Sequence, residues 1–321
     1  MSEDRQVNVY DIVIVGGGPG GLTAGIYAAR AKMKTLLLEK IMVGGQAAIT
    51  ETIENYPGFP DGIGGLELTD RMKEQAAKFG LEFIDDEVRE IKGETFEAGK
   101  GFIISTDGEE YRTLAIVIAT GAQPSNLHVP GEKRLTGKGV SYCATCDGPF
   151  FRDQDIVVVG GGDTAVEEAL FLTKFGKKVY LVHRRDRLRA TKILQERAFA
   201  NPRIEVIWDS VLTEIVGKAT VEGARVKNLK TENETMIPAK GVFVFVGIVP
   251  NTSFLHDLVE IDQNGYIITD DNMRTSEEGV FACGDARKKL LRQVITACGE
   301  GATAAFAAQH YVEELKGVAY K

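Results

Sequence analysis

The stretch YDIVIVGGGPGGLTAGIYAARAKMKTLLLEK, residues 10–40, decides the fold. It opens on a short β-branched run, Ile12 to Val15, passes through a glycine cluster, continues with helically spaced apolar residues and ends in a second apolar run, TLLLE. That is strand, turn, helix, strand. Both strand runs are almost continuously apolar, as befits strands buried on both faces of a parallel sheet. The same pattern returns in QDIVVVGGGDTAVEEALFLTKFGKKVYLVHRR, residues 154–185, with Ile156 to Val159 as its first strand. Two such units predict an α/β protein with two Rossmann-like, three-layer dinucleotide-binding domains.

The glycine spacing is Gly16-x-Gly18-x-x-Gly21 in the first unit and Gly160-x-Gly162-x-x-Ala165 in the second. The first glycine permits a sharp turn, the second lets backbone N–H groups approach a pyrophosphate, and the third position must be small for the helix to pack on its strand. Phosphate then sits at the helix N-terminus, where free N–H groups and the helix dipole favour negative charge. One such motif is weak evidence, but two in full strand-turn-helix context predict two bound dinucleotides.

The residue ending the second strand meets the adenosine ribose and separates the two sites. In the first unit it is Glu39, 23 positions after Gly16, whose carboxylate accepts hydrogen bonds from ribose hydroxyls and suits FAD or NAD. In the second unit the strand runs into His183, Arg184, Arg185 and Arg189. Guanidinium groups bind a 2′-phosphate bidentately, so NADPH is expected over NADH; the competing reading is a solvated basic helix start. A third signal lies in TSEEGVFACGDARKKLLRQVITACGEGATAA, where Val280 to Cys283 ends in Gly284-Asp285 and Arg292-Gln293-Val294 opens a helical segment. There a carboxylate can reach ribityl hydroxyls and helix N–H groups can face a flavin ring.

A chain of 321 residues is long enough for two domains, and 36 glycines call for many tight turns or close backbone approaches. A net charge of −8 disfavours nucleic acid as a partner. No apolar run approaches a membrane span and the polar MSEDRQVNVYD is not a signal peptide, so a cytoplasmic location is expected. In that reducing compartment the pair Cys143 and Cys146, in SYCATCDGPF, is metal-binding or redox-active. Zinc would need two further N/S ligands, with His128 the only histidine near in sequence, so no metal is expected. Asp147, beside the thiols, is a candidate proton shuttle, or simply a helix N-cap or first-turn acid. Cys283 and Cys298 read as small buried residues.

The chain closely resembles low-molecular-weight bacterial thioredoxin reductases. The match carries, in order, GGGPGG, the GGQ of residues 44–46, ENYPGF with Asn55, ATGA from Ala119, CATCDG, GGGDTA, HRRDRLRA, GIVPN from Gly247 and GVFACGDARKKLLRQV. The resemblance implies a discontinuous FAD domain, residues 1–120 and 249–321, with an NADPH domain of residues 121–248 inserted and carrying the C-x-x-C. It implies FAD contacts from Gly16, Gly18, Pro19, Gly20, Gly21, Glu39, Gly45, Gln46, Asn55, Val88, Ala119, Thr120, Gly121, Gly284, Asp285, Arg292, Gln293 and Val294. For NADPH it implies Gly160, Gly162, Asp163, Thr164, Ala165, His183, Arg184, Arg185, Arg189 and Ile248.

By the same resemblance electrons pass from NADPH through flavin and a Cys143–Cys146 disulfide to the disulfide of a thioredoxin or thioredoxin-like protein. Cys146 would be the thiol next to the flavin, Cys143 the one that attacks the partner, and Asp147 the proton shuttle. A homodimer is expected, as is rotation about the linkers GAQPSNLHVPGE and VGIVPNTSF, because Cys146 lies only 14 residues before Gly160 and both reactive groups ride on one body. Rival readings on the same scaffold are a flavin-dependent dithiol oxidase and a ferredoxin-dependent disulfide reductase. The loop with Arg287, Lys288 and Lys289 is more basic than the family pattern, a feature that bears on partner choice or on nothing.

Overall fold

Ile12 and Ile14 face one hydrophobic cluster while Val13 and Val15 face another, so the first strand, Val9–Val15, is covered on both sides. Its neighbours repeat the division: Leu37 and Val117 lie on one face, Leu36, Leu38, Ile116 and Ile118 on the other. Each such side chain contributes about 1.5–3 kcal/mol on burial, which fixes the register because a one-residue slip exchanges the faces. The continuous apolar runs of the sequence are therefore two-sided strands.

This is a computed structural model in which residues 9–320 are described. The chain divides into two units, one of residues up to Gln123 together with Val249 onward, the other Pro124–Ile248. In the first unit the strands run in the order Glu82–Asp85, Thr35–Glu39, Val9–Val15, Glu110–Ile118, Gly99–Thr106, Val88–Phe96. The first four are parallel, and the last two extend the sheet antiparallel. Val280–Ala282, from far along the chain, adds in parallel beside Ile116–Ile118. The helix Pro19–Arg30 packs against the long C-terminal helix Val294–Leu315. A Cβ at Gly301 would overlap the Gly20 carbonyl oxygen, so that glycine sets how closely the two helices meet.

The second unit holds a parallel sheet in the order Ile204–Ile207, Lys178–Val182, Asp155–Gly160, Gly241–Phe245, Val140–Ser141. Val157 and Val159 face one cluster and Ile156 and Val158 the other, repeating the pattern of the first unit. An antiparallel sheet of Ser210–Val216, Gly223–Asn228 and Glu234–Pro238 covers one face. The chain crossings, Ala122–Pro124 and Ile248–Pro250, run as a two-stranded pair. Among the described residues no helix is long and apolar enough to cross a membrane.

Candidate active site

The first glycine turn is built as its spacing requires. Gly16 has φ +107°, and a Cβ there would sit 2.5 Å from the Ala119 carbonyl oxygen, so only glycine fits. Gly18 has open space where a Cβ would be, which leaves its backbone approachable. Leu22 N donates to Gly18 O, so the amides of Gly20 and Gly21, just before it in the first turn of the helix, have no intrahelical acceptor. Glu39 fastens the turn: its Oε2 accepts from Gly17 N at 2.7 Å, and its Oε1 from Lys40 N at 2.9 Å. Oε1 also accepts from Ile41 N at 3.2 Å, which leaves Oε2 with a further lone pair for a ribose hydroxyl. Gly44 N donates to Gly17 O, which brings the loop of Gly45 and Gln46 to the same place.

The C-terminal segment reaches this turn through the contact between the two helices. Asn55 Nδ2 donates to Gln293 Oε1 at 2.9 Å, joining the loop that contains ENYPGF to the N-cap of the C-terminal helix. Gln293 forms a capping box with Thr296 there. Thr120 Oγ1 donates to Asn251 O at 2.7 Å and Asn251 Nδ2 to Thr120 O at 3.0 Å, tying the ATGA turn to GIVPN. Among the buried side-chain atoms of the described residues that lack a hydrogen bond are Asp285 Oδ1, which has Lys289 Nζ at 3.1 Å as an ion pair without hydrogen-bond geometry, and Arg292 Nε, whose guanidinium lies over the Tyr266 ring. A free acceptor and a free donor, with open backbone at Gly18, fit a dinucleotide that carries hydroxyls and phosphate. Val88 is buried at the start of its strand.

The second glycine turn differs after its shared beginning. Gly160 is tightly enclosed, with the Phe245 carbonyl oxygen and the Ala165 methyl where its own Cβ would be. His183 packs flat enough on Gly161 that any side chain there would overlap the imidazole, and its Nδ1 lies 2.9 Å from Gly160 O. Burial lowers the His183 pKa, with the Arg189 and Arg184 charges acting in the same sense and backbone hydrogen bonds to Gly160 and Arg187 opposing. Arg189 N donates to Gly161 O at 2.7 Å, and Asp163 Oδ1 accepts from Thr191 N at 2.6 Å, so the arginine loop is pinned over the turn. Arg184, Arg185 and Arg189 are exposed, and none of their guanidiniums is in an ion pair among the described residues. They stand in a loop between Lys178–Val182 and the helix Lys192–Ala200, so they do not form the helix start that a purely solvated reading assumed. Thr164 and Ala165 stand in the first turn of the helix Asp163–Leu172, which follows the glycine turn, and Ala165 is buried.

Cys143 and Cys146 are joined as a disulfide with Cα atoms 5.4 Å apart. Cys143 is the N-cap of the short helix Ala144–Asp147, and Cys146 N donates to its Sγ at 3.2 Å. Ser141 braces the centre: its hydroxyl accepts from Cys143 N at 3.0 Å and donates to Cys143 O at 3.1 Å. Asp147 closes the helix and is half-buried, one residue beyond exposed Cys146. The residue before the centre, Tyr142, donates to buried Glu132 at 2.8 Å, which also accepts from Leu127 N and His128 N. Cys283 and Cys298 are free and buried; burial pushes the Cys283 thiol up to about 12 and the Cys298 thiol upward, so neither is an available nucleophile near neutrality.

Sequence reasoning did not find Glu132, Asn251 or Glu300. Asn251 stood inside a recognised motif, but its partner is 131 residues away.

Paired glycine turns and a C-x-x-C disulfide on one of the units define a dinucleotide-dependent disulfide oxidoreductase. The family model for pyridine nucleotide-disulphide oxidoreductases matches residues 10–301. A thioredoxin reductase of Peptoclostridium acidaminophilum is 50% identical over 95% of this chain and 98% of that protein. One of Bacillus subtilis (strain 168) is 45% identical over 98% of both. The crystal structure of Lactococcus lactis thioredoxin reductase is 48% identical and covers 95% of this chain and 99% of that one, with a TM-score of 0.91. The chain belongs to the pyridine nucleotide-disulphide oxidoreductase family, and within it to the low-molecular-weight thioredoxin reductases.

Proposed function

We propose that the protein reduces the disulfide of a thioredoxin or thioredoxin-like partner with electrons from NADPH, FAD being held at the first glycine turn and NADPH at the second. The observation that carries this reading is a disulfide, Cys143–Cys146, on the same unit as a glycine turn to which a loop carrying three exposed arginines is bonded, none of them in an ion pair among the described residues. FAD, when bound, supplies the means of converting a hydride into an electron pair for a disulfide. Gly16, Gly18, Glu39, Asp285 and the N-terminus of Val294–Leu315 would hold it; Gly160, Gly162, His183 and the arginines would hold NADPH. The arginine loop disfavours a dithiol oxidase or a ferredoxin-dependent reductase, which have no use for a 2′-phosphate site.

Once the pair is reduced, Cys143 attacks one sulfur of the partner disulfide, forming a mixed disulfide and releasing the other partner sulfur as a thiolate. The amide of Cys146 favours the thiolate at Cys143 Sγ, and Asp147 protonates the departing thiolate. Cys146 then attacks Cys143, restores the Cys143–Cys146 disulfide and frees the partner dithiol. Because Cys146 and Gly160 belong to one unit, the reading includes rotation about the two crossings between half-reactions, in a cytoplasmic homodimer.

The test is an anaerobic titration of the purified protein with NADPH and then NADH, following flavin absorbance. The reading expects NADPH to be the better donor, with one equivalent consumed by flavin and a second by the disulfide. It fails if NADPH leaves the flavin oxidised while a dithiol or reduced ferredoxin bleaches it. Asp147→Asn should lower turnover about 100-fold with the NADPH half-reaction intact.

A further inference from the structure

The basic loop after Asp285 turns inward. Lys288 is exposed, but the side chains of Arg287 and Lys289 are only 13% and 5% exposed. Arg287 Nη1 lies 3.0 Å from Glu300 Oε1 and its Nε donates to Thr269 Oγ1 at 2.8 Å. Lys289 Nζ lies 3.2 Å from Glu300 Oε2, 3.1 Å from Asp285 Oδ1 and 3.4 Å from Thr296 Oγ1. Glu300 Oε2 also accepts from Gly284 N at 2.8 Å. The charges therefore alternate, Arg287, Glu300, Lys289, Asp285, in a chain that is neutral as a set.

We propose that Lys289 is a positioning residue for FAD: it fixes the Asp285 carboxylate and, through Glu300, the Gly284 amide, at the place where they meet the cofactor. This rests on the assignment of FAD to the first glycine turn. Three observations point to a positioning role over one of stability alone. Buried ion pairs return little net stability, since desolvation offsets attraction, so the fold itself gains little from this one. Lys289 alone of the two cations touches Asp285; Arg287 touches only Glu300 and Thr269. The Lys289 contact to Asp285 Oδ1 is electrostatic without being a hydrogen bond, which restrains the carboxylate while leaving that oxygen free to accept from a ligand hydroxyl.

The experiment measures FAD dissociation from the holoprotein by recovery of flavin fluorescence, and melting of the apoprotein, in wild type, K289M, R287M, D285N and the double variant D285N/K289M. K289M is expected to raise the FAD Kd about tenfold, the loss of one charge-assisted anchor. In the D285N background the same substitution is expected to change it by less than about twofold, because Lys289 acts through Asp285. R287M, which removes one partner and leaves the buried Glu300 carboxylate under-compensated, is expected to lower the apoprotein melting temperature with a smaller effect on FAD. K289Q replaces K289M should the methionine variant not fold. The proposal is overturned if K289M leaves the Kd at the wild-type value, if its effect adds in full to that of D285N, or if R287M matches it. A wild-type protein that binds no FAD would instead sink the assignment of the first glycine turn.

Discussion

The two glycine turns begin alike and end differently. Both leave a two-sided strand, both place small residues where a helix meets that strand, and both offer free amides at the helix start. After the second strand they part: Glu39 accepts from the Gly17 amide, whereas His183 docks on the Gly160 carbonyl and hands the chain to a loop of guanidiniums. One turn is thus latched by an anion and the other by a buried imidazole beneath cations. In the proposed reading the glycines shape both turns for a dinucleotide, and the latch gives each turn its charge.

Substitutions at matched positions test this division. The largest effect is expected at the third small position, where the turns already differ. Gly21→Ala would drive a methyl into the Gly16 carbonyl, while the second turn carries Ala165 without strain. Melting should report a loss of about 3 kcal/mol, and the flavin content should fall to background. If G21A binds flavin normally, the turns are more alike than their packing indicates. Next, the double variant R184A/R185A should raise KM for NADPH about 100-fold and leave NADH unaffected, as steady-state kinetics with both nucleotides would reveal. An equal loss with NADH would mean that the loop does not read the 2′-phosphate. Glu39→Gln keeps an acceptor for Gly17 N but loses the charge, and should weaken FAD about tenfold in a dissociation assay.

The smallest effect concerns pH. The folded pKa of His183 is lowered, so as pH falls through 6.5 the unfolded chain takes up a proton first. Stability is therefore whole above that point and declines toward the folded pKa, by no more than about 1.4 kcal/mol per pH unit for one proton. Comparing melting of wild type and His183→Asn at pH 7.5 and 5.5 should show the steeper decline in wild type. Equal slopes would show that His183 is not the group that senses acid.

Much of this was legible because it is local. The runs Ile12 to Val15 and Ile156 to Val159 announce two-sided strands, Glu39 ends the strand expected of it and His183 directly follows its own. The Cys143–Cys146 pair stands at a helix start, as its spacing suggests. What sequence could not give was long-range. Arg287 and Lys289 look like a solvent-exposed basic loop until Glu300, from within the following helix, draws them inward. Asn251 meets Thr120 only because the chain returns after the whole second unit. Arg184 and Arg185 sit in a loop because Arg189 N and Ala190 N bond to Gly161 O, which delays the helix to Lys192.

The insertion of the second unit has a consequence for biosynthesis. The sheet of the first unit is incomplete until Val280–Ala282 takes its place beside Ile116–Ile118, and one face lacks its cover until Val294–Leu315 has been made. Every strand of the inserted unit, by contrast, lies between Val140 and Phe245. At roughly 5–20 residues per second the ribosome therefore delivers a complete inserted unit seconds before its host can close. During that interval residues 116–118 present an unpaired strand edge, the kind of surface that templates pairing with another chain.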